Sequence, residues 1–213
     1  MTTIISFYLD NGNQMVVLGD TQHTYEHATK EESKIEQFNE ILFCGAGHDR
    51  IIWDFFLRTN TFRSFERCSD KIIELKKKKV EEYTKFSPAE MITHIQNSEF
   101  LVIDTKKLMG NKIIYLEKNK IGNIEVLGTG INHITTIQEE IRRAYTSKFS
   151  DVVIILIISL LHELGKMDPY TGHPAVFPIE IYLLEKDKEP IKYTLKFKAD
   201  LKSKDNYEVI KND

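Results

Sequence analysis

The amino-acid sequence predicts an α+β fold of layered sheets and helices, because its hydrophobic periodicity changes repeatedly along the chain. Apolar residues recur at strand spacing before Gly47, at helical spacing after it, at strand spacing again from Phe100, at helical spacing from Ile131, and at strand spacing once more from Phe177. By itself, that order supports an α+β fold with layered sheets. At 213 residues and 41% hydrophobic content, the chain can bury the core of one domain.

Two hairpins are predicted in the first part of the chain. The first joins residues 3–9 to residues 15–18 through an Asp-Asn-Gly-Asn turn, and it would return Asp20 to the start of the chain. The second spans residues 34–45 and opens on Lys34. The chain start, Asp20 and Lys34 are therefore expected to converge.

The remaining elements follow from periodicity and capping signals. Helical spacing is present over residues 51–56 and 72–75, and the capping box Ser87-Pro88-Ala89-Glu90 begins a further helix that runs to about Asn97. Further strands are predicted at 100–104, 112–117, 124–127, 177–184 and 191–197, and further helices at 131–141 and 152–164, where Gly165 should end the last helix. The domain is expected to span residues 2–198, with a charged and mobile tail over 199–213.

Charge and composition exclude several classes of function. A net charge of −3 gives no reason to expect nucleic acid, and the lysine run 76–79, followed by Glu81 and Glu82, predicts a solvated helix face. The apolar run 152–161 is too short to cross a bilayer, and no secretory leader is recognised. Two cysteines do not make a disulfide framework, so a cytoplasmic location is expected.

No cofactor or metal is expected. None of the seven histidines has His-Glu-x-x-His spacing, and the pair His162-Glu163 on an apolar helix is better explained as a helix face than as a ligand pair. A glycine-rich phosphate cradle is also missing from the sequence, so any ATP dependence would belong to a separate unfoldase.

The chain start offers a candidate nucleophile. Thr2 is small enough to permit removal of Met1, which would leave an N-terminal threonine. Such a residue carries a hydroxyl nucleophile together with its own base, because the α-amine can take the proton from Oγ. A free α-amine has a pKa of about 7.7–8.0, so it needs only a modest downward shift to act as a base at neutral pH.

Four motifs near the chain start resemble the proteasome β-type threonine peptidases. They are Thr2-Thr3-Ile4-Ile5-Ser6, Gly19-Asp20-Thr21-Gln22, Ser33-Lys34-Ile35 and Phe43-Cys44-Gly45-Ala46-Gly47. The start and the Gly-Asp-x-Gln motif are most similar to the peptidase subunit of the bacterial two-component ATP-dependent protease. The first turn has about two extra residues.

Two later motifs extend the resemblance to about residue 185. Gly128-Thr129-Gly130 resembles the family's Gly-Ser-Gly, and the segment 168–172 resembles its Asp-x-x-Ser-Gly. Thr129 and Thr171 stand where the family usually has serine, and Pro169 is unusual in that loop. The resemblance implies a four-layer αββα sandwich of the N-terminal nucleophile (Ntn) hydrolases.

The resemblance also implies a role for each motif residue. Thr2 would attack a carbonyl, and Lys34 would place a positive charge nearby that favours the neutral amine, while Asp20 would keep Lys34 charged and in place. The backbone N–H of Gly47 would bind the oxyanion. The residues that would orient the amine are Thr129, Asp168 and Thr171.

A pocket for the substrate side chain before the scissile bond is implied as well, lined by His23, Glu32, Gly45, Asp49 and Trp53. The two carboxylates favour a basic guest and Trp53 an aromatic one. The family further implies a homo-oligomeric ring, a peptide or unfolded protein as substrate, and an ATP-dependent unfoldase as a partner.

Each motif also has a simpler structural explanation. Asp20 and Thr21 can form an Asx turn, Lys34 can be a solvated residue, and the glycines can end strands. Two other functions stay open from the residues: an Ntn-type amidase or transferase that acts on small or specific amides, and a non-catalytic ring subunit.

Overall fold

The computed structural model describes residues 3–24, 29–31, 33–47, 64–86, 89, 92–93, 97–168, 171, 177–197 and 207–212. In this part of the chain helices and antiparallel sheets are mixed, which confirms the α+β prediction. The first half contains β1 (Thr3–Leu9), β2 (Gln14–Asp20), β3 (Gln22–Thr24), β4 (Thr29–Glu31), β5 (Ile35–Phe38), β6 (Ile41–Ala46) and α1 (Phe65–Phe86).

The second half begins with β7 (Glu99–Asp104), β8 (Met109–Ile114), β9 (Glu117–Lys120) and β10 (Ile124–Gly128). A 3-10 turn at Thr129–His133 leads into α2 (Ile134–Arg142) and α3 (Asp151–Met167). The last strands are β11 (Ile179–Glu185), β12 (Ile191–Phe197) and β13 (Tyr207–Asn212).

The strands in the described part of the chain form two large sheets and one small ribbon. The first sheet has the order β10-β1-β2-β11-β12-β13, the second has the order β5-β6-β7-β8-β9, and β3 pairs with β4. All pairs are antiparallel. Because β1 lies between β2 and β10, the first residue of β1 has a strand end on either side of it.

Among the described residues, three apolar clusters pack the elements in layers. The first buries one face of the β1 sheet against α2 and α3, and it includes Ile137 and Ile157. The second lies between the two sheets and includes Ile4 and Leu42. The third packs α1 on the outer face of the second sheet, as at Ile72. Because successive side chains along a strand point to opposite faces, each sheet contributes apolar side chains to the clusters on both of its faces.

Two predicted element ends are wrong. The strand predicted over 112–117 breaks at Tyr115, whose φ is +53°, and the chain turns there into β9. Its pattern hid the turn, because the turn residues Tyr115 and Leu116 are themselves apolar and continue the run Ile113-Ile114. Gly165 does not end the helix, which runs to Met167, because glycine inside a long buried helix costs only about 1 kcal/mol and packing outweighs that.

The predicted helix over 51–56 lies outside the described residues, as does most of 87–97, of which positions 89, 92, 93 and 97 are helical. The helix predicted from Ile131 begins only at Ile134, because the 3-10 turn Thr129–His133 precedes it. None of the described helices is both long and apolar enough to span a membrane.

The prediction that the lysine run 76–79 forms a solvated helix face is wrong at Lys76. Lys76 is fully buried, and its Nζ donates a 2.6 Å hydrogen bond to the carbonyl of Ser98 and lies 5.7 Å from the ring centre of Phe100. Lys78, by contrast, is exposed, and its Nζ lies 4.0 Å from Oε1 of Glu82 at the expected i,i+4 spacing.

The charged segment 199–213, expected to be mobile, contains a strand. Residues of β13 pair with β12 in the register Leu195↔Val209, and Asn212 donates a side-chain hydrogen bond to Thr194. Backbone pairing explains this strand better than burial does, because Val209 stays 43% exposed. A periodicity argument that relies on burial therefore misses it.

Candidate functional site

The first residue of β1 is the centre of the candidate site. Thr3 is fully buried, and its backbone N–H donates a 2.9 Å hydrogen bond to Oδ2 of Asp20. Asp20 ends β2, and the β1–β2 register, in which Ile4 faces Gly19, sets it opposite Thr3. The Asp-Asn-Gly-Asn turn therefore delivers the carboxylate to the chain start, as the hairpin pattern predicts.

The second oxygen of Asp20 binds the predicted lysine. Oδ1 accepts hydrogen bonds from Nζ of Lys34 at 2.8 Å and from the backbone N–H of Gln22 at 2.9 Å. The Asp20 side chain is fully buried and that of Lys34 is 6% exposed. Removing one member of such a buried pair typically costs about 3–5 kcal/mol, because the other charge is left without its partner.

Neighbouring residues hold the backbone of Lys34 in place. Its carbonyl accepts a 3.2 Å hydrogen bond from the N–H of Gly45 in β6. Just before it, the hydroxyl of Ser33 donates to Oε2 of Glu180 at 2.6 Å, and Lys192 donates to Oε1 of Glu180 at 2.6 Å. Burial alone would lower the pKa of Lys192, but the Glu180 carboxylate raises it overall, so the ammonium group of Lys192 stays charged.

A chain of hydroxyl groups reaches the side chain of Thr3. The Oγ1 atoms of Thr3 and Thr171 lie 2.6 Å apart, and the Thr171 hydroxyl donates to Oδ2 of Asp168 at 2.8 Å. Since Thr171 has one proton to donate, the hydroxyl of Thr3 is the donor in the first bond. Asp168 follows α3 directly, and both it and Thr171 are buried.

The Gly-Thr-Gly motif closes the other side of Thr3. A Cβ on Gly130 would lie 2.5 Å from Cγ2 of Thr3, so only glycine fits there without displacement. The hydroxyl of Thr129 is buried and has no hydrogen-bond partner among the described residues. Such an orphan is costly in a folded protein and calls for an explanation.

The last predicted backbone group lies just past β6. Gly47 has a φ of +107°, and a Cβ there would lie 2.9 Å from Cα of Ser98, so the position requires glycine on both counts. Ser98 is held in turn by Lys76 of α1, through the buried bond described above. Lys76, which the sequence pattern predicted to be solvated, therefore supports the turn that contains Gly47.

Four of the predicted site residues lie outside the described residues: Thr2, Glu32, Asp49 and Trp53. His23 lies in β3, paired with Lys30.

Sequence reasoning missed the role of Thr3, which it treated only as the first residue of a strand. The signal available was the second threonine of the Thr-Thr pair. In the described part of the chain, no group of three or more His, Cys, Asp and Glu side chains is placed to hold a metal ion.

Comparisons with known proteins give structural neighbours only. No family model matches the sequence, and no curated protein matches it. The Anbu (Gly-1) mutant from Hyphomicrobium sp. strain MC1 is 14% identical, with a TM-score of 0.57 over 89% of this chain and 86% of the other. BPH from Thiobacillus denitrificans in complex with epoxomicin is 13% identical, with a TM-score of 0.58 over 88% of this chain and 100% of the other.

These neighbours support the resemblance to the proteasome β-type Ntn family that the sequence motifs indicate. At this identity the likeness shows the fold. The reaction has to be argued from the residues of this chain.

Proposed function

We propose that this chain is an N-terminal threonine peptidase that hydrolyses peptide bonds with Thr2 as nucleophile, after removal of Met1. One observation carries the proposal. The residue that follows Thr2 is bonded through its N–H to Asp20, which also binds Lys34, and through its hydroxyl to the Thr171–Asp168 pair. A buried cation, two carboxylates and hydroxyl groups thus surround the point where Thr2 joins β1.

The chemistry follows from these groups. The Thr2 Oγ attacks the substrate carbonyl carbon while the α-amine takes the hydroxyl proton, and Lys34 favours the neutral amine by charge repulsion. The backbone N–H of Gly47 donates to the oxyanion that forms. Collapse of that intermediate breaks the C–N bond, the leaving amine takes the proton, and an ester remains on Thr2.

Water completes the cycle. The freed α-amine accepts a proton from a water molecule, whose oxygen attacks the ester, and the carboxylic acid product leaves as the Thr2 hydroxyl regains its proton. Asp20 acts through Lys34, which it keeps charged in a buried setting. It is a positioning residue in this scheme.

The orphan hydroxyl of Thr129 supports the proposal independently. It lies in the residue after Gly128, and Gly128 pairs with Thr3 across β10 and β1. The group that would satisfy it is the Thr2 amine, which would be oriented by Thr129 on this side and by Thr171 and Asp168 on the other.

The wider assignments belong to the same proposal. The layered clusters are those expected of a four-layer αββα Ntn sandwich, and we propose a homo-oligomeric ring in the cytoplasm, fed by an ATP-dependent unfoldase. The pocket before the scissile bond would be lined by His23, Glu32, Gly45, Asp49 and Trp53. It would prefer a basic or large side chain.

The deciding experiment compares wild type, Thr2→Ala and Thr2→Ser. Intact mass should show loss of methionine, and the wild type should hydrolyse unfolded casein. Thr2→Ala should lose that activity by several orders of magnitude, whereas Thr2→Ser, which keeps the hydroxyl, should retain part of it. Epoxomicin, which is bound in the BPH structure, should inhibit the wild type.

Other outcomes would point elsewhere. Turnover of casein by Thr2→Ala at the wild-type rate would refute the mechanism. Cleavage of small amides without casein hydrolysis would favour the amidase, and retention of Met1 with no hydrolysis would favour a non-catalytic subunit. Light scattering, which measures the mass of the particle in solution, tests the ring, because a monomeric mass would contradict it.

A further inference from the structure

A groove of about 860 Å³ lies beside the candidate site. Gly47 and Thr129 line it, so it is continuous with the site. Its other walls include Glu99 at the start of β7 and three large apolar side chains, Ile114, Tyr115 and Ile131.

The position of the groove follows from the sheet order. Within the first sheet β1 has β2 on one side and β10 on the other, so Asp20 lies on the β2 flank and Thr129 just past the end of β10. On the β2 flank the N–H of Gly45, a predicted pocket residue, bonds the carbonyl of Lys34. A peptide bound with its acyl half on the flank of Asp20 and Lys34 would extend its leaving half across Thr129 into the groove.

The groove combines one carboxylate with apolar surface. Ile114, Tyr115 and Ile131 are each about two-fifths exposed, at 39%, 41% and 40%, and they lie together in the lining of one groove, where contiguous exposed apolar surface is typical of a binding site. Oε2 of Glu99 accepts a 2.7 Å hydrogen bond from the N–H of Gly128, which fixes the carboxylate at the wall. No lysine or arginine is among the described residues that line the groove.

We propose that this groove binds the leaving half of the peptide substrate and selects a lysine or arginine directly after the scissile bond, with an apolar residue beside it. The inference rests on the proposed peptidase function. The negative charge of Glu99 attracts the basic head, and the aliphatic stem and the next side chain cover the exposed apolar wall.

The test uses internally quenched peptides that differ only in the residue after the cleaved bond, which is arginine, glutamine or glutamate. A partly exposed charge pair is worth up to about 1 kcal/mol, so wild-type kcat/KM should favour arginine over glutamine by about fivefold and disfavour glutamate further. In Glu99→Gln, which keeps an oxygen to accept the Gly128 N–H, the arginine-to-glutamate ratio should fall to near one.

Glu125→Gln is the matched control. Glu125 likewise accepts a backbone N–H, from Gly122 at 2.7 Å, but it lies outside the groove, so its loss should leave the ratio unchanged. Equal wild-type rates for the three peptides, or a Glu99→Gln ratio equal to that of wild type, would overturn the assignment while leaving the peptidase intact.

Two further outcomes also count against the groove assignment. If Ile131→Ser lowers the oligomer mass but not the cleavage rates, a second copy of the chain occupies the groove in place of substrate. If the wild type cleaves none of the peptides and no casein, the proposed function itself fails and the groove assignment falls with it.

Discussion

Replacing Asp20 with alanine tests the centre of the site directly. Asp20 accepts three hydrogen bonds, from the backbone N–H groups of Thr3 and Gln22 and from Nζ of Lys34, and its side chain is fully buried. The change leaves a buried ammonium group without this carboxylate and removes the acceptor of two backbone donors. Water that enters the vacated space would recover part of the loss.

The magnitude can be worked from these contacts. Breaking a buried ion pair costs about 3–5 kcal/mol, and each buried donor left unsatisfied costs about 1–3 kcal/mol before water is counted. We therefore expect the free energy of unfolding to fall by about 4 kcal/mol in Asp20→Ala. With an m-value of about 2–3 kcal/mol per molar urea, the unfolding midpoint should shift by about 1.3–2 M.

Asp104→Ala is the matched control. Asp104 also accepts two backbone N–H groups, those of Lys106 and Lys107, but the lysine that pairs with it is 72% exposed. Its loss should cost only about 1–2 kcal/mol, because the freed donors can reach water. Urea unfolding followed by circular dichroism at one protein concentration measures both variants, since assembly would make stability concentration-dependent.

The result that would refute the reasoning is an Asp20→Ala midpoint shift no larger than that of Asp104→Ala. If Asp20→Ala does not fold, Asp20→Asn serves in its place. Asparagine keeps the shape and one acceptor oxygen but loses the charge, so it should still destabilise more than Asp104→Ala.

Three further predictions use the same measurements. Gly130→Ala should lower the free energy of unfolding by about 1–3 kcal/mol through overpacking, whereas Gly122→Ala, with an ordinary 3.4 Å nearest contact, should change it by less than about 0.5 kcal/mol. Thr129→Val should leave the urea midpoint nearly unchanged but slow peptide hydrolysis by about 10- to 100-fold, and Thr129→Ser should be near wild type; equal rates for both would contradict the proposed amine contact. Burial raises the pKa of Cys68 to about 12 and raises the pKa of Cys44 as well, both from an ordinary value of 9.0. The unfolded thiols therefore lose protons first, and stability should fall as the pH rises above about 9, by up to about 1.4 kcal/mol per pH unit for each thiol. A Cys44→Ala/Cys68→Ala variant with the same slope would contradict this.

Local pattern was enough for the parts of the site that depend on strand pairing. A turn signal and two apolar runs determine a hairpin, and a hairpin determines which residue returns to the chain start. Asp20 and Lys34 could be brought together on that basis, and the structure sets them 2.8 Å apart.

Contacts between distant segments could not be predicted in the same way. Lys76 donates to a carbonyl 22 positions away, and inside a run of four lysines nothing distinguishes it from its solvated neighbours. The hydroxyl chain from Thr3 to Thr171 joins residues 168 positions apart. The position of Asp168 in this chain of hydrogen bonds depends on where α3 ends, and periodicity gives only an approximate position for a helix end.

The first turn shows how a departure from the family pattern can leave the site intact. The chain has about two residues more there than the motifs it resembles, and a shift of one residue in the β1–β2 register would turn the Asp20 side chain to the opposite face. The turn absorbs the excess: Asp10, Asn11 and Gly12 have φ values of +48°, +55° and +93°, which Asn, Asp and Gly tolerate best. Pairing resumes at Leu9↔Gln14 and stays in step to Ile4↔Gly19, so the carboxylate still faces the N–H of Thr3. The turn composition, which first signalled only a hairpin, thus accommodates the extra residues while Asp20 stays opposite the start of β1.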